Sequence, residues 1–203
     1  MTRFLSLALA LSLTTAAGLF ASEPDEDGWI SLFNGEDLSG WKVSEDGKWH
    51  VAIGRIVANG PRSHLFTEQE FKNFDFETEV MTTAGSNSGI YFHTKFQEEG
   101  WPELGYEVQV NQTQRDPVKS GSLYGVVKRF STPVKDDEWY TTRITVRGNA
   151  VTVRINDEVL YEYVQPAGVT GPRKLGEGSI AFQAHDPDSV VYYRNVRIKP
   201  LPE

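Results

Sequence analysis

The chain contains no cysteine among its 203 residues. Disulfides, cysteine nucleophiles and thiolate metal sites are therefore excluded, and stability must come from packing or from a bound ion. Positive charge is also scarce, because 20 lysine and arginine residues stand against 28 aspartate and glutamate residues, for a net charge of −8. No nucleic-acid partner is expected, since binding phosphates requires a basic surface.

Long hydrophobic runs are absent beyond the N-terminus. Residues 1–21 carry Arg3, then an apolar run from Phe4 to Leu13, then small residues. This pattern predicts a secretory signal peptide, because the apolar run is too short to cross a bilayer and an acidic segment follows it. Cleavage after Gly18 or Ala21 would remove one positive charge and no acidic residue, so the mature protein is expected to carry −9, to lack a transmembrane segment and to be periplasmic or extracellular.

Several catalytic motifs are missing as well. The chain has no GxSxG elbow, no HExxH, no phosphate-binding loop and no ExDxxE strand of the glucanase type. The nearest local pattern is Glu107-x-Gln109, which offers one carboxylate. A glycosidase mechanism with two carboxylates therefore has only half of its groups on this strand.

What the chain does contain is the pattern of an all-β protein. Residues 22–28 predict a flexible acidic leader, and residues 29–203 are enough for one domain with a full core. Short apolar or alternating runs recur between turn signals from Trp29 onward. The predicted strands are 29–33, 49–53, 55–58, 74–82, 88–95, 105–110, 123–127, 139–147, 150–155, 158–163, 178–184 and 190–198.

Two tight turns fix part of the topology. Gly148-Asn149 and Asn156-Asp157 predict three consecutive antiparallel strands. Residues 67–71 form the one helix-like stretch, with Thr67 as a cap for a single turn. Twelve strands are too many for one flat sheet, so we expect a sandwich of two packed antiparallel sheets of the jelly-roll type.

Three predicted strands place polar side chains opposite their apolar residues. The polar set is Tyr91, His93 and Lys95 on the first strand, Glu107 and Gln109 on the second, and Gln183 and His185 on the third. Amides, a carboxylate and aromatic rings offer what a sugar ring needs, namely partners for hydroxyls and a flat surface for C–H groups. The alternative is a plain solvent-exposed sheet face, because the sequence does not show that these strands are neighbours.

The remaining candidates lie in loops or at strand ends. Trp101 lies in a polar loop just before the strand of Glu107, where it could form a stacking wall. His50 and His64 are predicted to be surface residues. No cofactor is expected; a Ca²⁺-like cation near Asp186 and Asp188 is one interpretation of that acidic run, and a proline-containing turn capped by aspartates explains it equally well.

Six segments together resemble the 3-keto-disaccharide hydrolase domain family. They run in order across most of the chain, as WISLFNGEDLSGW at 29–41, GSNSGIYF at 85–92, GYEVQV at 105–110, GSLYG at 121–125, QAHDP at 183–187 and YRNVRI at 193–198. The resemblance implies a concanavalin A-like jelly roll, related in fold to glucanases and laminin G domains, and a secreted protein. It also implies cleavage of glycosides whose sugar is oxidised at C3, with a 3-keto-disaccharide or a related glycoside as the carbohydrate partner.

The implied chemistry needs one base, because a ketone at C3 makes the C2 hydrogen acidic and the C1 oxygen can then leave by β-elimination, before water adds to the enone. On that basis Glu107 is the expected base, His185 the expected acid or enolate stabiliser, and His93 its alternative. The expected sugar contacts are Gln109, Gln183, Tyr124, Lys95, Asn87, Trp101 and Tyr91. A non-catalytic carbohydrate-binding module that uses the same face, and a structural or adhesion domain, remain alternative interpretations.

Overall fold

The computed structural model describes residues 22–203. The predicted signal peptide, residues 1–21, lies outside the described residues. Residues 22–28, predicted to be a flexible leader, form a turn in which the Asp25 carboxylate accepts hydrogen bonds from the backbone N–H groups of Asp27 and Trp29. Within residues 22–203 there is no helix that could span a membrane.

The described chain forms thirteen strands in two antiparallel sheets. The strands are β1 (Ile30–Ser31), β2 (Trp41–Val43), β3 (His50–Ala52), β4 (Arg55–Ala58), β5 (Ser63–Thr67), β6 (Phe74–Thr82), β7 (Asn87–Thr94), β8 (Tyr106–Asn111), β9 (Tyr140–Arg147), β10 (Ala150–Ile155), β11 (Glu158–Val164), β12 (Ser179–Ala184) and β13 (Val191–Pro200). One sheet has the order β11-β10-β9-β6-β13-β4-β3, with β1 paired to β13, and the other has the order β2-β5-β12-β7-β8. The predicted two-sheet sandwich is confirmed.

The core fills the space between the sheets with aromatic and branched side chains. Phe182 of the five-stranded sheet stacks on Tyr193 of the other sheet, with ring centroids 3.9 Å apart, and Trp41 also stacks on Phe182, at 5.3 Å. Phe74 and Phe76 on β6 are fully buried against the same cluster. Burying each such ring stabilises the fold by about 1.5–3 kcal/mol.

The two predicted turns are confirmed. Arg147 pairs with Ala150 across the β9–β10 turn, where Gly148 has φ 57°, and Ile155 pairs with Glu158 across the β10–β11 turn, where Asn156 has φ 52°. Both turns need a residue that adopts the left-handed region without strain, and glycine and asparagine do so.

Three details of the predicted strand map are wrong. Residues 123–127 form no strand, because Leu123 makes only isolated bridges to Val108 and Val127. The short strands β2 and β5 were not predicted, since neither shows a clear alternation. The helix-like stretch at 67–71 is not a helix: Thr67 ends β5, and its hydroxyl donates to the Gln69 carbonyl and accepts from the Ile180 N–H.

Candidate functional site

A cavity of about 340 Å³ lies on the face of the five-stranded sheet that points away from the core. Apolar residues of β7 and β8, such as Ile90 and Val108, belong to the main core cluster, whereas Tyr91 packs on the opposite face with Phe66 and Ala181. The lining residues are Asn87, Tyr91, Trp101, Glu107, Gln109, Asp116, Tyr124, Arg173, Gln183 and His185.

Strand register brings these side chains together. Tyr91 of β7 pairs with Glu107 of β8 on one side and with Ala181 of β12 on the other. Gly89, two residues earlier on β7, pairs with Gln109. Because alternate residues share a face, the pattern seen in the sequence becomes one continuous polar surface across three strands.

Glu107 lies at the centre of this surface. Its side chain is 5% exposed, and its carboxylate lies over Gly89, so that a methyl group at position 89 would overlap the carboxylate. Burial raises the pKa of Glu107 to about 7, although a hydrogen bond with Tyr91, the positive charge of Arg173 and a hydrogen bond with Gln183 each lower that pKa. A carboxyl group with this pKa exchanges its proton near neutral pH.

Two amide side chains orient the groups around Glu107. Gln183 Nε2 donates to the Tyr91 hydroxyl at 2.8 Å and reaches Glu107 Oε1 at 3.5 Å. Gln109 Nε2 donates to Asn87 Oδ1 at 2.6 Å. The amides therefore present fixed donors and acceptors along the floor of the cavity.

The cavity lining also includes an aromatic ring and a histidine held by an aspartate. The ring centroid of Trp101 lies 5.3 Å from that of His185. His185 Nδ1 lies 2.7 Å from Asp186 Oδ2, and because a carboxylate only accepts, this bond assigns the Nδ1 proton. Nε2 has no hydrogen-bond partner within residues 22–203 and remains the ring atom available to exchange a proton with a ligand.

Two of the predicted site residues lie elsewhere. His93 has φ 55°, which breaks the strand alternation and turns its side chain towards Phe74 of the other sheet, with ring centroids 5.7 Å apart. Both of its ring nitrogens are engaged, by the Lys72 carbonyl and the Gly176 N–H. Lys95 forms an ion pair with Glu70 and does not line the cavity.

The prediction for His64 is wrong, whereas His50 is exposed as predicted. His64 is fully buried behind the cavity, with its ring against the edges of Tyr91 at 5.5 Å and Trp101 at 5.7 Å. Neither of its ring nitrogens has a hydrogen-bond partner within residues 22–203. Burial lowers the pKa of His64 to about 4, so the ring is neutral at pH 7.

Two lining residues were missed because they lie in loops. Asp116 precedes a turn in which its Oδ1 accepts from the Val118 N–H at 2.8 Å, and Arg173 lies between β11 and β12. Loop residues follow no periodicity, so strand phase could not predict either of them. The only sequence signal was their position beside Pro117 and Pro172 in polar, turn-rich segments.

The acidic run after β12 behaves as a capped turn. Asp186 Oδ1 accepts from the Asp188 N–H at 3.0 Å, and the Asp186 carbonyl accepts from the Ser189 N–H. No group of three or more histidine, aspartate and glutamate side chains in the described part of the chain is arranged to hold a metal ion.

A larger concavity of about 450 Å³ lies on the outer face of the other sheet. Arg143 there pairs with Asp75 at 2.9 Å, and Thr145 donates to the same carboxylate at 2.5 Å. Because the Asp75 carboxylate is already engaged by Arg143 and Thr145, this surface has no free acid or base comparable to Glu107 among the side chains named here.

Comparisons with known proteins agree with this fold. A 3-keto-disaccharide hydrolase of Bacteroides thetaiotaomicron is 27% identical in an alignment 233 positions long, gaps included, that covers 87% of this chain and 80% of that protein. A solved structure from Parabacteroides distasonis, provisionally assigned as a glycosyl hydrolase, is 26% identical, with a TM-score of 0.75 over 87% of this chain and 95% of that one. The carbohydrate-binding module CBM66 of Bacillus subtilis, 13% identical with a TM-score of 0.57 over 78% of this chain and 94% of that one, shares the fold.

Residues 28–199 match the family described as the 3-keto-alpha-glucoside-1,2-lyase-like domain. The match spans both sheets and every strand that contributes to the cavity. It confirms the resemblance drawn from the six sequence segments. The chain therefore belongs to the 3-keto-alpha-glucoside-1,2-lyase-like domain family.

Proposed function

We propose that this protein cleaves glycosides whose sugar is oxidised at C3, and that Glu107 removes the proton from C2. The observation that carries the proposal is the Glu107 carboxyl group, which is buried at the centre of a polar cavity and whose pKa is raised to about 7. A base with a pKa near the working pH combines an available ionised form with a strong tendency to take a proton. Similarity to a 3-keto-disaccharide hydrolase supports a carbohydrate-related function.

The groups around Glu107 supply the rest of the reaction. When Glu107 takes the C2 proton, the C–H electrons form a C2=C3 bond and the ketone becomes an enolate. The enolate then collapses to the ketone, C1=C2 forms, and the C1–O glycosidic bond breaks. His185, held through Nδ1 by Asp186, acts in its doubly protonated form and gives its Nε2 proton to the departing oxygen. Water finally adds its oxygen to C1 of the enone, His185 takes a proton from that water, and Glu107 returns its proton to C2, so that the overall change is hydrolysis.

The amides and aromatic rings would hold the sugar. Gln183, Gln109 and Asn87 offer directional hydrogen bonds, while Trp101 and Tyr124 offer flat surfaces at the rim. A paired-carboxylate mechanism is less favoured, because the second acid in the cavity, Asp116, uses an oxygen to cap its own loop.

The test is to incubate the purified protein with 3-keto-trehalose or 3-keto-lactose and to measure released 3-keto-glucose. Trehalose and lactose serve as controls, since without the ketone the C2 hydrogen is not acidic. We expect Glu107→Gln to lose turnover while it still binds the sugar in a calorimetric titration. If the wild-type protein binds these keto-sugars without cleaving either of them, the protein is a binding module and the proposed reaction is wrong.

We also propose that residues 1–21 direct secretion. The sequence pattern of that segment supports this proposal. N-terminal sequencing of protein recovered from the periplasm should begin at Leu19 or Ser22. Recovery of the uncleaved chain in the cytoplasm would contradict it.

A further inference from the structure

Arg173 brings a positive charge to the cavity that contains Glu107. Its side chain lines the cavity beside Glu107 and Tyr124. Within residues 22–203, it forms no ion pair with any aspartate or glutamate, unlike Arg143, which pairs with Asp75. Its charge lowers the pKa of Glu107 and opposes the rise in the pKa of Tyr124, so the guanidinium acts electrostatically on the central groups of the cavity.

The loop that carries Arg173 is held on both sides of that residue by hydrogen bonds to Gly105, just before β8, and Gln165, just after β11. Before it, the Pro172 carbonyl accepts from the Gly105 N–H at 3.3 Å. After it, the Leu175 N–H donates to Gln165 Oε1 at 2.7 Å, and the same oxygen accepts from the Tyr106 hydroxyl at 2.9 Å. An arginine on a loop anchored in this way approaches a ligand from a defined direction.

His93 supplies a further anchor. Its Nε2 lies 2.8 Å from the Lys72 carbonyl, which only accepts, so Nε2 carries the proton. Its Nδ1 is therefore an acceptor, and it receives the Gly176 N–H at 3.0 Å. The left-handed backbone at His93, φ 55°, points the ring away from the cavity and towards this loop. This arrangement gives a residue outside the cavity a structural link to Arg173.

The chemistry of a guanidinium selects among ligand oxygens. It has five N–H donors and no acceptor, and it keeps its charge throughout the working pH range. A ketone oxygen only accepts, and it gains negative charge when a neighbouring C–H bond is deprotonated. A donor with a fixed charge therefore binds the enolate more strongly than the ketone, which is the condition for catalysis.

We propose that Arg173 binds the C3 carbonyl oxygen of the ligand and stabilises the enolate formed there, and that His93 is a positioning residue for Arg173. This inference rests on the proposed function, because it assigns the electrophilic partner of the same reaction. In this arrangement Glu107 is the base at C2 of the sugar and Arg173 is the cation at the adjacent C3 carbonyl.

The first experiment measures preference for a ketone in the Glu107→Gln protein, which cannot turn the sugar over. Dissociation constants for 3-keto-trehalose and trehalose are compared in Arg173→Met and in Lys174→Met, an adjacent exposed cation that does not line the cavity. We expect Arg173→Met to reduce the preference for the keto-sugar about tenfold, as for the loss of a charged hydrogen bond. Equal preference in the two variants would overturn the inference.

The second experiment uses the pH dependence of kcat/KM in the protein that retains Glu107. Because the charge of Arg173 lowers the pKa of Glu107, Arg173→Met should shift the acidic limb of the profile to higher pH, and Lys174→Met should not. His93→Phe should lose part of the preference for the keto-sugar, as Arg173→Met does. His93→Gln keeps an acceptor for the Gly176 N–H and should therefore retain that preference. Profiles that coincide for Arg173→Met and Lys174→Met would overturn the enolate role.

The two proposals fail in different ways. If the wild-type protein releases no 3-keto-glucose, the proposed function is wrong. If it does release that sugar but Arg173→Met behaves as Lys174→Met in either experiment, only the inference about Arg173 is wrong. A His93→Phe protein with unchanged keto-preference would overturn the positioning role alone.

Discussion

The carboxylate of Glu107 lies over Gly89 of the neighbouring strand, in the space that any other side chain at position 89 would fill. A Cβ atom at this position would be 2.9 Å from both Cδ and Cγ of Glu107. Gly89 does not have a positive φ, so its backbone conformation is open to other residues. Glycine is therefore needed here for space above the strand rather than for backbone freedom.

Gly89→Ala should displace Glu107 without unfolding the protein. Because the backbone tolerates alanine and the clash is with a side chain that can move, we expect only a small change in melting temperature. Activity should suffer far more, since a shift of about 1 Å in a catalytic group costs roughly 100-fold in rate. Measuring kcat/KM on 3-keto-trehalose together with thermal unfolding checks this; an active variant would show that the position of Glu107 is not critical.

The sequence predicted those parts of the cavity that obey strand alternation. Tyr91, Glu107, Gln109 and Gln183 lie on one face because hydrogen-bonded strands keep a period of two over this region. The same rule failed at His93, where one left-handed residue rotates the side chain to the other face.

The rest of the cavity depends on contacts that are distant in sequence. Arg173 and Asp116 reach it from loops whose course is set by hydrogen bonds to other segments. His64 was mistaken for a surface residue because β5 is short and buried on both faces, so no alternation marks which side chains are inside. Periodicity does not encode tertiary burial of this kind.

Glu107→Gln should stabilise the folded protein above neutral pH. The folded-state pKa of Glu107, about 7, lies above its ordinary value of 4.5, so the folded state binds the proton more tightly than the unfolded state does. Stability from this group therefore falls as pH rises from about 4.5 to about 7, by about 3 kcal/mol in all. Urea unfolding should show the glutamine variant gaining much more on the wild type at pH 8 than at pH 5. An equal difference at both pH values would contradict the raised pKa.

His64→Phe should reveal the opposite dependence. The folded-state pKa of His64, about 4, lies below its ordinary value of 6.5, so the unfolded state binds the proton more tightly and stability is lost as pH falls from about 6.5 to about 4. Since the Glu107 contribution has the opposite sign over much of this range, the two largely cancel in the wild type.

The phenylalanine variant removes the histidine contribution. Its stability should rise as pH is lowered from 7 to 5, by about 1 kcal/mol or more relative to the wild type. Phenylalanine also replaces ring nitrogens that have no partner within residues 22–203, which should add about 1 kcal/mol at pH 7. His50→Phe, unfolded at the same pH values, is the matched control, because His50 is an exposed histidine on the other sheet. Parallel curves for His64→Phe and the wild type would contradict the assignment.

Trp101→Ala should weaken sugar binding more than it weakens the fold. The indole is 41% exposed at the rim of the cavity, yet its loop is fixed, because Glu45 accepts from the Gly100 N–H at 3.1 Å and pairs with Arg62 at 2.6 Å. The Arg62 guanidinium in turn lies 5.2 Å from the centroid of the Trp101 ring. A ring held in this way loses little entropy when a sugar stacks on it, so nearly all of the stacking energy contributes to affinity.

Removing the Trp101 indole should raise the dissociation constant for 3-keto-trehalose roughly fivefold, as measured by calorimetry in the Glu107→Gln protein. Trp101→Phe should keep part of the affinity, because a smaller ring still offers a flat face. Phe130→Ala removes an aromatic ring of greater exposure that does not line the cavity, and it should leave affinity unchanged. Glu45→Gln tests separately whether the loop must be fixed. If it must, this variant loses affinity although the indole is intact. If the variant binds as the parent does, the stacking surface needs no anchoring by Glu45.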